Sequence, residues 1–397
     1  MIALFLIPVF IALDAYIFMW FTRWLGAISP FFKKLPVRIV IAALILLLTA
    51  DMYIAFPMSN VGAGRTFKMF GNYVLGSLMY IGMAVLLFDL IRVIVKKIRK
   101  KKGKNGFSRA AQIISGILVI VITAGTLAYG FINARIVRTT HYEVTVDKDG
   151  GALDDLNLVL LADLHMGYNI GVKHIQSMVD AVNAVNPDII VIAGDIFDND
   201  YDALEDPEKL IEILKTMKAK YGVYVVYGNH DIAEKLLCGF TFSFGGVKEA
   251  DERMDKFIED CGWINLRDEG VMIADSFYLY GRPDYSKPGA GIDTRKTPEE
   301  ITADIDPDIP IIVFEHEPKQ LQELSDAGVD VDLCGHTHDG QFFPMNISSD
   351  ILWENGCGYL NKNGMHSIVT SGVGLYGPYM RVGTIAEIVQ VDIHFAK

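Results

Sequence analysis

Apolar residues crowd the first 135 positions, and after them apolar and polar residues alternate in short blocks. Four early runs, at about 1–20, 39–56, 73–95 and 110–132, are apolar on almost every face and near the roughly 20 residues that a bilayer-crossing helix needs. A helix packed on a soluble core keeps one polar face. Four successive runs without one predict an all-α region of four transmembrane helices over 1–135. The first run has neither a basic start nor a small-residue cleavage site, so it reads as a retained helix and not as a removed leader.

From about residue 157 the pattern changes. Apolar stretches at 158–162, 189–193, 223–227, 311–314 and 331–334 have the length of buried strands. Between them, 172–185, 207–217, 247–261 and 318–327 place apolar residues at helical spacing, and the tail alternates at 367–371 and 385–393. Strands that alternate with helices predict an α/β domain over 155–397. Residues 136–154 read as a linker.

Composition and charge sharpen this division. At 51% hydrophobic and 21% charged, the 397-residue chain is neither disordered nor collagen-like. Its net charge of -12 hides a split: residues 1–135 carry 16 basic and three acidic side chains (+13), and 136–397 carry 20 and 45 (-25). Basic residues collect between the third and fourth runs, from Arg92 through Lys96, Lys97 and Lys104 to Arg109, and in the first loop at Arg23, Lys33, Lys34 and Arg38. The second loop has only Arg65 and Lys68. Cytoplasmic loops are the basic ones, so both the N-terminus and the C-terminal domain are expected outside the cytoplasm. The lysine cluster equally suits anionic headgroups of the cytoplasmic leaflet.

Asp14, Asp51 and Asp89 lie within the apolar runs, where a carboxylate suggests a proton path, a headgroup contact or interhelical hydrogen bonding. The four cysteines show no metal-finger spacing, and sequence does not say whether any are paired. The charge of -25 and the lack of a basic groove argue against nucleic acid as a partner.

The chemistry sits where the predicted strands end. These ends run into Asp163-Leu164-His165, Gly194-Asp195-Ile196-Phe197-Asp198, Gly228-Asn229-His230-Asp231, Glu315-His316 and Gly335-His336-Thr337-His338. Open α/β sheets place their sites at the carboxyl ends of strands. A single D-x-H tripeptide carries little information, but five of the chain's nine histidines fall in these clusters. The mix of carboxylate, imidazole and amide suits a borderline or moderately hard ion such as Mn, Fe or Zn. It exceeds what one tetrahedral ion needs, and a carboxylate can bridge two ions about 3.5–4 Å apart. Asp195 is the natural bridge because Gly194 lets the backbone approach closely.

The ordered set D-x-H, G-D-x-x-D, G-N-H-D, H and G-H-x-H resembles the calcineurin-like metallophosphoesterase family over roughly 155–395, and within it the membrane-anchored phosphodiesterase branch. The resemblance implies a four-layer αββα sandwich. It also implies two divalent ions, one held by Asp163, His165, Asp195 and His338, the other by Asp195, Asn229, His316 and His336. In that scheme a hydroxide between the ions attacks phosphorus, His230 protonates the leaving oxygen and Asp231 orients His230. Where that branch often continues G-H-x-H-G-G-Q, this chain has Asp339-Gly340-Gln341, which bears on substrate preference.

Candidate substrate contacts are Phe240, Phe242 and Phe244 in a glycine-rich loop, and Arg381, which suits either a phosphate or a structural salt bridge. Trp353, Tyr359, Tyr376 and Tyr379 are further candidate walls. The expected activity is hydrolysis of a phosphodiester or pyrophosphate linkage in a lipid-linked or cell-envelope substrate at the bilayer. A phosphomonoesterase, a nucleotide phosphodiesterase and a non-catalytic sensor or transporter with a phosphate-binding metal domain are the alternatives.

Overall fold

A computed structural model describes residues 2–55, 57–58, 62–102, 107–234, 236–237, 240–241, 251–287 and 294–396. The chain divides into two units. One comprises Met1–Phe131 with Leu236–Phe244 and Gly377–Met380; the other comprises Ile132–Lys235, Gly245–Tyr376 and Arg381–Lys397.

The first unit is built on four helices: α1 (Ile2–Ile28), α2 (Leu35–Ala55), α3 (Gly62–Lys101) and α4 (Arg109–Asn133). Pro8–Ile28, Gly62–Lys101 and Arg109–Asn133 are long and apolar enough to cross a membrane, and α2 covers the second expected run. Large apolar side chains such as Leu46, Leu47, Leu87 and Val121 point outward, while Trp20, Trp24, Val85 and Val119 form a small interior cluster. Asp89 is not isolated. It accepts from the Tyr16 hydroxyl at 2.9 Å and pairs with Arg92 at 3.2 Å. Asp14 and Asp51 are buried within this unit.

The second unit stacks two six-stranded sheets. In chain order its strands begin with β1 (Val137–Asp149), β2 (Asp155–Leu161), β3 (Ile189–Ala193) and β4 (Val223–Val226); the next two, β5 (Leu236–Leu237) and β6 (Phe240–Thr241), form a small hairpin that belongs to the first unit. After it come β7 (Ile264–Asn265), β8 (Glu269–Ile273), β9 (Phe277–Arg282), β10 (Ile311–Glu315), β11 (Val331–Cys334), β12 (Gly358–Lys362), β13 (Met365–Val369) and β14 (Ala386–Ala396). The first sheet runs β1-β14-β2-β3-β4-β7 and the second β12-β13-β11-β10-β9-β8. Leu158, Leu160, Val191 and Val226 from one sheet share a buried cluster with Leu279, Phe314, Leu333 and Ile368 from the other. Every residue of β3, β4, β10 and β11 is buried, which is why these strands read as unbroken apolar runs.

Helices cover the outer faces. Helix α5 (Val172–Ala184) turns Ile175, Met178, Val179 and Val182 inward. Helix α6 (Pro207–Leu214) starts where the Asp206 side chain accepts from the Lys209 amide, with Pro207 in its first turn. Helix α7 (Glu252–Cys261) ends at left-handed Gly262. On the second sheet, α8 (Pro298–Thr302) and α9 (Leu321–Asp326) bury Ile301, Leu321 and Leu324 against Tyr280 and Val313. A tenth helix, α10, spans Met345–Leu352. This is the expected sandwich.

One expected boundary is wrong. Residues 136–154 are not a linker, because 137–149 form β1, which pairs in parallel with β14 from Val137↔Ala386 onward. Only Val144 and Val146 of that strand are fully buried, so its pattern looks polar.

The buried polar groups of the second sheet lie close together. Glu315 is held by Arg282 at 3.0 Å and by Arg295, and Asp332 accepts from Ser367 at 3.3 Å. Cys261, Cys334 and Cys357 are unpaired thiols, and Cys238 falls outside the described residues.

Candidate metal centre

The parallel strands β2, β3, β4, β10 and β11 deliver their carboxyl ends to one edge of the sandwich. The loops there are strained. Asp163, His165, Asp195, His336 and His338 all have positive φ, between 44° and 71°, a region few side chains occupy. Such conformations collect where function holds them in place. Close backbone packing supports the site: a Cβ at Gly194 would stand 2.7 Å from Gly228 N and from His316 Nδ1, and one at Gly228 would collide with Asp195.

Two ligand clusters result. In the first, His165 Nε2 and His338 Nε2 are 3.0 Å apart, His165 Nε2 is 3.5 Å from Asp195 Oδ2, and His338 Nε2 is 3.5 Å from Asp163 Oδ1. In the second, His316 Nε2, His336 Nδ1 and Asn229 Oδ1 stand 3.0 Å from one another. Asp195 Oδ2 is also 3.2 Å from His316 Nε2, so one carboxylate oxygen touches both clusters. Its partner Oδ1 accepts from the His230 amide at 2.7 Å, which fixes the carboxylate.

The donor set fits divalent ions. Ligand atoms about 2.1 Å from a shared ion stand roughly 3.0–3.4 Å from each other, close to the 3.0–3.5 Å separations here. His316 Nδ1 faces the Ala193 carbonyl at 2.9 Å, so this nitrogen carries a hydrogen and the neutral ring presents a lone pair at Nε2. That lone pair then meets two oxygens that only accept, an arrangement a cation satisfies. Without one, a proton takes its place. Burial opposes charge on His316, but Asp195 outweighs burial and holds its pKa well above the usual imidazole value. Asp195 mirrors this: burial raises its pKa, and His316 and His230 bring it well below the carboxylate range. Burial, then the charge on His316, lowers His336 to about 3. Burial pushes Asp163 up to about 6, with His316 opposing.

His230 stands beside the first cluster, its ring 4.8 Å from that of His165. The carboxylate facing it is not Asp231. Asp231 accepts from the Phe197 amide at 2.9 Å and the Gly228 amide at 2.7 Å, so it clamps the turn and does not orient the imidazole. Asp198 Oδ1 does face His230, 3.5 Å from Nδ1, and also lies 3.4 Å from His165 Nδ1. Burial raises the Asp198 pKa, but its bonds to His165 and His230 prevail and lower it. Its signal in the sequence was the second aspartate of G-D-x-x-D.

Arg381 is also reassigned. It is fully buried, and its Nη2 donates to the carbonyls of Ser371 (2.7 Å), Gly372 (3.1 Å) and Gly374 (2.7 Å), so it braces a loop and does not meet substrate. Phe242 and Phe244 fall outside the described residues, and Phe240 belongs to β6. Of the aromatic candidates, Tyr376 sets its ring edge-on 4.9 Å from His338, and Trp353 does so 5.4 Å from His336. Tyr359 instead stacks on Tyr142, and Tyr379 packs against Tyr73 within the helical unit. Asp339 sits at φ 51° in a short turn after His338.

Residues 156–340 match the family model for calcineurin-like phosphoesterases. This match lies mostly within the second unit and supports a phosphoesterase domain there, of a family that typically binds divalent metals. Among curated relatives, a "Transmembrane protein with metallophosphoesterase domain" from Danio rerio is 28% identical over 336 residues, 82% of this chain and 72% of its own. One of the same name from Bos taurus is 28% identical over 291 residues, 70% of this chain and 62% of its own. An uncharacterized metallophosphoesterase from Campylobacter jejuni is 26% identical over 330 residues, covering 79% and 78%.

Proposed function

We propose that the chain is a multi-pass membrane hydrolase whose phosphoesterase domain, outside the cytoplasm, cleaves a phosphodiester or pyrophosphate bond in a lipid-linked or cell-envelope substrate. The observation that carries the reading is Asp195 Oδ2, within 3.5 Å of His165 and 3.2 Å of His316, a carboxylate oxygen shared by two ligand clusters. On this reading Asp163, His165, Asp195 and His338 hold one divalent ion, and Asp195, Asn229, His316 and His336 hold a second, each Mn, Fe or Zn. When bound, such a pair supplies Lewis acidity toward phosphoryl oxygens and lowers the pKa of water.

The chain's own residues supply the rest. His230 is partly exposed at the rim of the clusters, and Asp198 faces its Nδ1 at 3.5 Å. Asp198 thereby holds the ring through Nδ1, and Nε2 gives a proton to the leaving oxygen as the bond from phosphorus to that oxygen breaks and one to a water oxygen forms. Tyr376 and Trp353 flank the two clusters and narrow access to them.

The bilayer is the expected partner, supported by the apolar helices and by relatives named transmembrane proteins. The basic loops set the proposed orientation. The acidic second half argues against nucleic acid.

The test is metal analysis with hydrolysis of bis-nitrophenyl phosphate and its monoester by wild type, Asp195→Asn and His230→Ala. Diester cleavage lost in both variants is expected. Preferential monoester cleavage overturns the diesterase reading, and bound metal without any ester hydrolysis supports a binding role. Protease protection of the C-terminal domain on intact cells would overturn the orientation.

A further inference from the structure

We propose that Asp284 is a further carboxylate ligand on the side of the site formed by Asn229, His316 and His336; the proposal rests on the dinuclear reading above. Strand β9 runs parallel to β10 and pairs Arg282 with Glu315, so the chain leaves β9 toward Asp284 at the same edge where β10 delivers His316. Asp284 is fully buried, and its amide donates to the Tyr227 carbonyl at 3.1 Å, two residues before Asn229.

The two carboxylate oxygens have unequal surroundings. Oδ1 accepts three hydrogen bonds, from Ser286 N (2.9 Å), Ser286 Oγ (2.8 Å) and Lys287 N (2.6 Å). Oδ2, equally buried, has no hydrogen-bond partner among the described residues. A carboxylate oxygen of Asp284 and one ring nitrogen each of His316 and His336 lie within 4.8 Å of one another. A turn-capping role accounts for Oδ1 but not for Oδ2. A buried carboxylate oxygen without a donor is costly unless a cation satisfies it. Lys287 does not, because its Nζ pairs with Glu234. The clamp on Oδ1 holds the carboxylate still, and Oδ2 remains for the ion.

The consequence concerns metal choice. Asp163, Asp195 and Asp284 together set three negative charges against two dications. Two carboxylates, an amide oxygen and two imidazoles make the second position richer in oxygen, which favours Mn or Fe over Zn.

The test uses the full chain in detergent, stripped of metal and titrated with Mn(II) alone, read by calorimetry and by the spin coupling of paired Mn(II) ions. Wild type is expected to take up two ions and show coupling. Asp284→Asn is expected to weaken one position by about 10- to 100-fold and leave the other, so that coupling disappears at two equivalents. Metal-free Asp284→Asn is expected to melt at or above the wild-type temperature, since an unsatisfied buried charge has gone. Unchanged two-site binding overturns the assignment, as does a lower metal-free midpoint with unchanged affinities, which marks a purely structural carboxylate. Ser286→Ala loosens the clamp without touching the carboxylate and is expected to weaken the same position several-fold; identical affinities there also overturn it. If wild type binds two ions yet hydrolyses no phosphate ester, the proposed function fails, and loss of one position in Asp284→Asn still supports the ligand.

Discussion

Asp332 should make the phosphoesterase domain lose stability as pH rises through neutrality. Its side chain is fully buried on β11, with Cys334 Sγ 3.4 Å from both oxygens and Ser367 Oγ at 3.3 Å. Burial, and then the charge of Glu315, push its carboxyl up to about 8. An unfolded aspartate titrates near ~3.9. Between those values the folded state keeps a proton that the unfolded chain has released. Stability is therefore fully present below the unfolded pKa and falls through the window at up to about 1.4 kcal/mol per pH unit. From pH 5 to pH 7 the expected loss is about 2–3 kcal/mol. Asp332→Asn removes the titration at nearly constant volume. The assay compares thermal midpoints of wild type and variant at both pH values in chelator, so that groups common to both proteins cancel. The variant should gain on wild type between pH 5 and pH 7 by roughly 4–10 °C for a domain of this size. A difference that stays constant across that interval refutes the reasoning.

Four further substitutions separate catalytic from structural roles. Gly228→Ala drives a Cβ into Asp195, and metal content should fall together with activity, the latter by about 100-fold or more; wild-type metal content would contradict this. Asp198→Asn removes the charge facing His165 and His230 and should lower kcat about 10- to 100-fold, whereas Asp231→Asn breaks a turn clamp and should lower the melting temperature with kcat within a few-fold. Equal kcat losses in the two would restore Asp231 as the orienting group. Arg381→Lys gives up a fork that reaches three carbonyls and should cost about 3 kcal/mol of stability without changing KM; a selective rise in KM would instead return Arg381 to the substrate.

What could be read from the residues alone follows from how each part is buried. Strands β3, β4, β10 and β11 are covered on both faces, so each reads as an apolar run with an abrupt polar end, and those ends carried Asn229, His316 and the other candidate ligands. Strand β1 is legible only through β14, its partner some 250 residues away, and no local pattern records so distant a pairing. Strand β9 hides for another reason: its buried residues include Tyr280, Gly281 and Arg282, whose polarity breaks the apolar run. With no apolar run to mark the strand, no local pattern marks the aspartate just beyond its end. Aspartates inside the motifs posed a different problem. Asp231 follows His230 directly, yet the turn folds its carboxylate back onto amides, and Asp198, more than thirty positions earlier, faces that imidazole. Adjacency in a motif fixes backbone proximity, whereas the partner of a side chain depends on which oxygen the turn has already consumed. Asp284 follows the same rule: the turn saturates Oδ1, Oδ2 has no donor among the described residues, and the carboxylate lies beside two imidazoles.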